Sequence, residues 1–479
     1  MSRQQAIANT LACFDDGRFQ QTLARRVAYR TESQDAASGP ILHAYLTEEM
    51  VPLLERLGFT WDIIENPEAG KSPFLIAERL EPGASFTVLT YGHGDVVRGY
   101  DAQWRDGLSP WDIVVEGNRW YGRGTADNKG QHTINLLALE QVLATRGGRL
   151  GYNVKVLLEM GEETGSPGLN EVCVMNRDRL AADLFIASDG PRNGASRPTL
   201  FLGSRGVFNF DLHLNLREGG HHSGNWGGLL RNPGIRLAHA IASMVDARGR
   251  ILVPGLLPEE LPDSVREALK SIQVGGDPND PEIDLDWGEP GLTPAERVFG
   301  WNSMEVLAFT TGNPAMPVNA IPCDARAHCH MRYVVGSDDS NFVQHIRKHL
   351  DDHGFHDVEL RTNDMHMPAT RLDPDDDWVR WCLASMERSS GKSPALLPNL
   401  GGSLPNDVFA VTLGQPTLWI PHSYPACSQH APNEHVLADV MREALNIMAG
   451  VFWDLAEEGP GVFATRKAGL SKRAESAVS

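Results

Sequence analysis

The chain has 479 residues, 41% hydrophobic and 22% charged, with a formal net charge of −19. That size and composition describe a globular protein of roughly two to four domains with ample core. The acidic balance excludes nucleic acid as the main partner, since phosphate binding needs a basic footprint, and the lack of any run of about 18 apolar residues predicts no membrane span. The segment Met1-Ser-Arg-Gln-Gln-Ala-Ile-Ala8 has no basic stretch followed by an apolar one, so no secretory signal is expected. Six cysteines (13, 173, 323, 329, 382 and 427) form no Cys-x-x-Cys pair and read as reduced, mostly buried thiols of a cytoplasmic protein.

Arg18 to Ala28 and Ala44 to Leu57 carry apolar residues at helical spacing, and Phe74-Leu-Ile-Ala and Phe86 to Tyr91 read as strands. The second strand runs into His93-Gly-Asp95. Then comes Tyr121-Gly-Arg-Gly-Thr-Ala-Asp-Asn-Lys-Gly130, whose glycines allow a sharp turn and close approach of backbone to a ligand. Ile134, Leu136, Leu137, Leu139, Val142 and Leu143 follow at helical spacing. Tyr152 to Glu159 is a strong strand entering Gly161-Glu-Glu-Thr-Gly-Ser166, and Asp183 to Ser188 is another, ending at Asp189-Gly-Pro191. Buried strands alternating with helices predict an α/β sheet covered on both faces, with its site at the carboxyl ends of the strands.

Near residue 203 the texture changes. Gly206 to Leu216 alternates as a half-solvated strand does, Gly219 to Gly228 is rich in Gly and His, and Asn232 to Val245 reads as a helix. A Pro- and acid-rich excursion fills about 251 to 300, and Ala325 to Val334 is a further strand. On that strand the two histidines of His328-Cys-His330 fall on the face opposite Cys329, which argues against a metal tract. The pattern predicts residues 1–203 and 335–479 as one α/β domain and 204–334 as an inserted α+β domain. Asp373 to Asp377 is expected to open a helix with Trp378 and Trp381 inward, and the residues around Arg466 to Arg473 to form a polar, mobile tail.

Five segments carry chemistry: His93-Gly-Asp95, Asp127, Glu162-Glu163, Asp189 and the late His430. Asp95, Asp127, Glu162, Glu163 and Asp189 brought to one point and buried would repel strongly; two divalent cations remove the conflict. Asp127 is read as the central carboxylate of that site.

These motifs, in this order, resemble the M20 family of zinc peptidases over residues 40 to 455, and within it the carnosinase-like dipeptidases. Supporting pieces are His222-Ser-Gly-Asn-Trp-Gly-Gly228, Gly249-Arg-Ile-Leu-Val-Pro-Gly255, Gly288-Glu-Pro-Gly291 and Gly401-Gly-Ser-Leu-Pro405. The resemblance implies a mixed-sheet catalytic domain interrupted by a lid and dimerisation domain, hence a homodimer. It implies that His93 and Asp189 hold one zinc, Glu163 and His430 the other, and that Asp127 bridges both, with manganese or cobalt as other ions such ligands accept. Asp95 would hydrogen-bond His93 from behind, and Glu162 would be the general base. In the inserted domain, His222 would reach into the partner subunit's site to hold the oxyanion, Asn319 would touch substrate, and Arg332 and Ser403 would clamp its carboxylate.

The expected activity is metal-assisted hydrolysis of the amide bond in a dipeptide or N-acyl amino acid bearing a free carboxylate. An N-acyl or N-carbamoyl amino acid amidohydrolase would use the same residues. A binding protein on a degenerate fold would lack Glu162 or a ligand, and none is missing. A nucleotide-binding reading fails because Gly92-His-Gly94 and Gly122-Arg-Gly124 lack the remaining glycine of the dinucleotide fingerprint. Two departures from the family pattern stand out: Asn128 where an aspartate often follows the bridging residue, and His422 to Ser428, expected to line the pocket and alter substrate choice.

Overall fold

The computed structural model describes residues 2–276 and 280–478, and their side chains except those of 363–366 and 472–478. It divides into two compact units, one of residues 1–202, 372–397 and 405–479, the other of residues 203–371 and 398–404.

The first unit is built on an eight-stranded sheet. In spatial order its strands are Thr60–Ile64, Phe74–Arg79, Asn153–Glu159, Thr87–His93, Leu184–Ala187, Thr417–Trp419, Thr199–Phe201 and Ala395–Leu397. The four central strands from Asn153–Glu159 to Thr417–Trp419 run parallel, and antiparallel pairings flank them, so the sheet is mixed. The central strands are buried along nearly their whole length, as strands covered on both faces must be. Helix Lys129–Thr145 packs on Thr87–His93 and beneath helices Arg3–Asp15, Arg18–Ala28 and Ala438–Val478. It is buried almost all round, which is why its apolar residues do not fall into one stripe.

Helix Asp377–Ser390 opens as expected, with Asp376 capping the Trp378 amide and Trp378 and Trp381 buried. The expected tail differs: Ala438–Val478 is one helix through Arg466 to Arg473. Phe463 packs against the core, and Arg466 donates to Asp376 at 2.8 Å, so the last turns of the core helix carry the polar sequence onward.

The second unit holds a four-stranded antiparallel sheet in the order Ser303–Thr311, Asp324–Tyr333, Gly206–Asn215 and Glu359–Met367. It extends to Arg371 rather than closing near residue 334. Helix Phe342–Asp352 buries Phe342, Ile346 and Leu350 in this unit's core, and Glu359–Met367 pairs with Gly206–Asn215. A helix followed by a strand reads alike whichever sheet receives it. Cys329 is buried while His328 and His330 share the other, partly solvated face, as the alternation predicts.

Candidate metal centre

Three neighbouring parallel strands deliver ligands from their carboxyl ends. Thr87–His93 ends in His93, Asn153–Glu159 leads into Glu162 and Glu163, and Leu184–Ala187 leads into Asp189. Asp127 lies between strand Arg119–Tyr121 and helix Lys129–Thr145. Strand His435–Leu437 pairs antiparallel with Arg119–Tyr121 and so brings the loop bearing His430 to the Asp127 turn.

The result is two donor clusters sharing one carboxylate: His93, Asp127 and Asp189, and Asp127, Glu163 and His430. Asp127 Oδ1 is 2.9 Å from His93 Nε2, and Asp127 Oδ2 is 3.0 Å from His430 Nε2. His93 Nε2 is 3.5 Å from Asp189 Oδ2, and His430 Nε2 is 3.0 Å from Glu163 Oε2. Gln429, beside His430, also donates to Asp127 Oδ2. Glu162 Oε2 lies 3.9 Å from His93 Nε2 and takes no part in either cluster.

Asp95 stands behind His93 and also braces the turn that follows the neighbouring strand. Its carboxylate accepts the Glu162 amide at 3.2 Å and the Glu163 amide at 3.1 Å. His93 Nδ1 is 3.1 Å from the Asp95 carbonyl and 3.3 Å from Oδ1. Asp95 thus orients the imidazole and fixes the Glu162-Glu163 turn at once.

Asn128 also finds an account. It is fully buried, donates from Nδ2 to the Ser188 carbonyl at 2.7 Å, and meets His132 Nδ1 through Oδ1 at 3.1 Å. An ionised aspartate has no proton to give Ser188; the amide ties the Asp127 turn to the strand end that carries Asp189. The segment from His422 to Ser428 is largely buried beside Asp189. His422 Nε2 lies 3.0 Å from Ser188 Oγ, Ser423 donates to the Gly190 carbonyl at 2.9 Å, and His422, Ser423, Tyr424 and Cys427 are buried. Ser423 and His422 Nε2 thus bond the strand end and turn that carry Asp189, and Tyr424 Oη lies 2.6 Å from His435 Nε2.

The electrostatics favour cations. Burial pushes Glu162 well above the usual carboxylate range and Glu163 up to about 7, and burial with Asp127 alongside raises Asp189. Burial opposes the charge of His93, but Asp127, Asp189 and Asp95 outweigh it and raise its pKa well above that of free imidazole. Asp127 and Glu163 raise His430 to about 11. Asp127 itself is depressed, because His430 and His93 outweigh its burial. Asp189 Oδ2 is buried without a hydrogen-bond partner. Acids and imidazoles sharing protons around an unpartnered oxygen are a donor set that two divalent cations fit, since a cation displaces the protons and takes the oxygen. The three carboxylates of the two clusters would set −3 against the +4 of two such ions.

The other expected site residues lie in the second unit. Arg332, on strand Asp324–Tyr333, donates to Ser403 Oγ at 2.6 Å, and Ser403 Oγ donates to the Arg205 carbonyl at 2.6 Å. Burial lowers the Arg332 pKa. Strand His221–His222 pairs with Ala320–Ile321, and the Ser223 amide donates to the Asn319 carbonyl at 2.9 Å, placing exposed His222 beside exposed Asn319.

Residues 89–454 match the model of peptidase family M20/M25/M40. The chain is similar to the cysteinylglycine-S-conjugate dipeptidase of Corynebacterium striatum, at 31% identity over 265 residues, 53% of this chain and 56% of that one. It is similar to the Beta-Ala-His dipeptidase of Mus musculus, at 30% over 319 residues, 63% of this chain and 62% of that one. Both matches thus span between half and two thirds of the relative's length. Among solved structures, an M20 family metallo-carboxypeptidase from Sulfolobus solfataricus superposes with a TM-score of 0.73 at 26% identity, covering 91% of this chain and 98% of that one. Because the family match takes in more than half of the sequence and the whole constellation from His93 to His430, the chain belongs to peptidase family M20/M25/M40.

Proposed function

We propose that the chain is a dinuclear metallohydrolase that cleaves the amide bond of dipeptides with a free carboxylate. One observation carries the reading: the two oxygens of Asp127 face two separate His and carboxylate sets, 2.9 Å from His93 and 3.0 Å from His430. His93, Asp127 and Asp189 would hold one ion, and Asp127, Glu163 and His430 the other. Bound there, two divalent ions lower the pKa of water and polarise the scissile carbonyl.

The protein's own groups do the rest. Glu162, which ligates nothing, takes a proton from the attacking water and returns it to the leaving nitrogen; the burial that raises its pKa suits it to hold that proton between the two steps. Asp95 holds its turn in place. Arg332, steadied by Ser403, pairs with the substrate carboxylate, Asn319 is assigned a substrate contact, and His222 is assigned the oxyanion in the partner subunit's site. Zinc as the ion, a homodimer and cytoplasmic residence belong to this proposal. Six free thiols and the absence of any long apolar helix among the described residues accord with it. The dipeptidase names of the relatives favour a dipeptide over an N-acyl amino acid.

The test is a substrate panel. Zinc-loaded protein is assayed on Cys-Gly, β-Ala-His and other dipeptides beside N-acetyl and N-carbamoyl amino acids, with and without chelator. Chelator-sensitive turnover greatest on dipeptides is expected. Turnover confined to acylated amino acids refutes the dipeptide assignment, and full activity with fewer than two ions per chain refutes the dinuclear one.

A further inference from the structure

Glu434 is fully buried and lies on the same loop as His430. Its carboxylate reaches across to the Asp127 turn and accepts four bonds there: Arg123 Nη1 at 2.7 Å, and the amides of Gly124 at 3.1 Å, Ala126 at 2.9 Å and Asp127 at 3.2 Å. Its own carbonyl accepts the Gly122 amide at 3.0 Å. One side chain therefore satisfies three backbone donors of the turn that presents the bridging carboxylate, while its backbone continues the loop that presents His430. His430 and Asn433, between which that loop turns, both adopt left-handed backbone conformations, with φ of 61° and 64°. Non-glycine residues keep such conformations only where their surroundings fix them. The other cluster has its own tether, since Asn128 links the turn to Ser188 beside Asp189.

We infer that Glu434 is a positioning residue that sets the spacing between Asp127 and His430, and so builds the second ion's half of the centre before an ion arrives. The inference rests on the two-ion reading. Guanidinium and three amides all point at its two oxygens. In Glu434→Gln the amide group would turn two hydrogens toward donors on one side, so the turn and the His430 loop move apart while the Asn128 tether keeps Asp127 beside His93 and Asp189.

Metal-free wild type, Glu434→Gln and Glu434→Asp are titrated with Zn2+, and their metal-free melting temperatures are recorded. In Glu434→Gln the first ion binds with wild-type affinity and the second about 10–100-fold more weakly, the usual size of the effect when a ligand loses its support. Glu434→Asp, which keeps the charge but is one methylene shorter, recovers part of the loss. A lowered melting temperature with an unchanged titration marks a merely structural ion pair and overturns the inference, as does equal weakening of both ions. Hydrogen exchange on metal-free wild type needs no variant to fold. The amides of Gly124, Ala126 and Asp127 are protected if Glu434 pre-forms the turn, and exchange as fast as at exposed Asp106 and Gly107 overturns it. Wild type that takes fewer than two ions removes the two-ion reading itself; wild type that takes two while Glu434→Gln takes both unchanged removes only the role of Glu434.

Discussion

Gly130 offers a test of how tightly the bridging turn is held. It lies in the first turn of helix Lys129–Thr145, and its amide donates to the Gly124 carbonyl at 3.1 Å. A Cβ built on it would fall 1.9 Å from the Thr125 carbonyl oxygen and 3.0 Å from its carbon, both backbone atoms. Carbon and oxygen in close contact sit about 3.3 Å apart, so Gly130→Ala must push the turn and the helix roughly 1.4 Å apart. The strain cannot be absorbed by a rotamer. Thr125 is tied to the Gly122 carbonyl through its hydroxyl at 2.7 Å, and Asp127 is two residues further on. Metal sites tolerate ligand displacements of about 0.2 Å, and a misplacement of about 1 Å costs on the order of a hundredfold in rate. Overpacking adds about 1–3 kcal/mol of destabilisation. The expected result is weaker binding of both ions, kcat/KM lower by roughly a hundredfold, and a fold that survives in the metal-free state. Zinc titration, dipeptide hydrolysis and urea unfolding measure the three. Gly461→Ala is the control, since a Cβ there meets nothing within 4 Å. A Gly130→Ala protein with wild-type zinc affinity and rate would refute the claim that the turn's placement sets the site.

Glu162→Gln is expected to keep both ions and lose about 10²–10⁴ in kcat; a near-normal rate in a zinc-replete sample removes Glu162 as the base. Arg332→Met is expected to raise KM roughly ten- to hundredfold with kcat little changed, as the loss of a charge-assisted contact made equally in ground and transition states would; an unchanged KM removes the carboxylate clamp. With no ion bound, Glu163 titrates at about 7 and His430 at about 11. Both must be deprotonated to ligate. Above pH 8 only His430 releases a proton, and affinity for their ion rises about tenfold per pH unit; below pH 7 Glu163 is protonated too, and the rise steepens toward a hundredfold per unit. Calorimetry in buffers of different ionisation enthalpy counts the protons, and a count that stays constant through pH 7 refutes the assignment.

Of the candidate ligands, His93, Glu163 and Asp189 were legible because they stand at or just past strand ends and Asp127 because it sits in a glycine-rich turn, whereas His430, in a loop with neither signal, rested on the family resemblance. What escaped has a common physical cause: it depends on backbone partners, which leave no trace in side-chain spacing. Glu434 stands in the same short segment as His430, yet its partners are amides of a turn three hundred residues earlier. Asn128 looked like a lost charge until the Ser188 carbonyl gave it a partner. His422-Ser-Tyr424 gave no sequence sign that Ser423 and His422 bond the Gly190 carbonyl and the Ser188 hydroxyl beside Asp189. Helix Arg3–Asp15 has Ala6, Thr10 and Cys13 as its buried residues, too weak a stripe to read.

The strand order of the first unit has a consequence for how the protein comes into being. Leu184–Ala187 pairs parallel with Thr417–Trp419, and the whole second unit is threaded between them in the chain. The ordering entropy of that long closure is met only when the late strand docks. During synthesis, residues 60–187 present a half-sheet whose edge strand waits for a partner not yet made, a template for wrong pairing. The second unit's own sheet pairs strands from 206 to 367 and can settle first, shortening the effective gap. His430 and Glu434 arrive after that docking strand. The candidate centre is therefore completed late in assembly, since of its two donor sets only His93, Asp127 and Asp189 precede the docking strand in full.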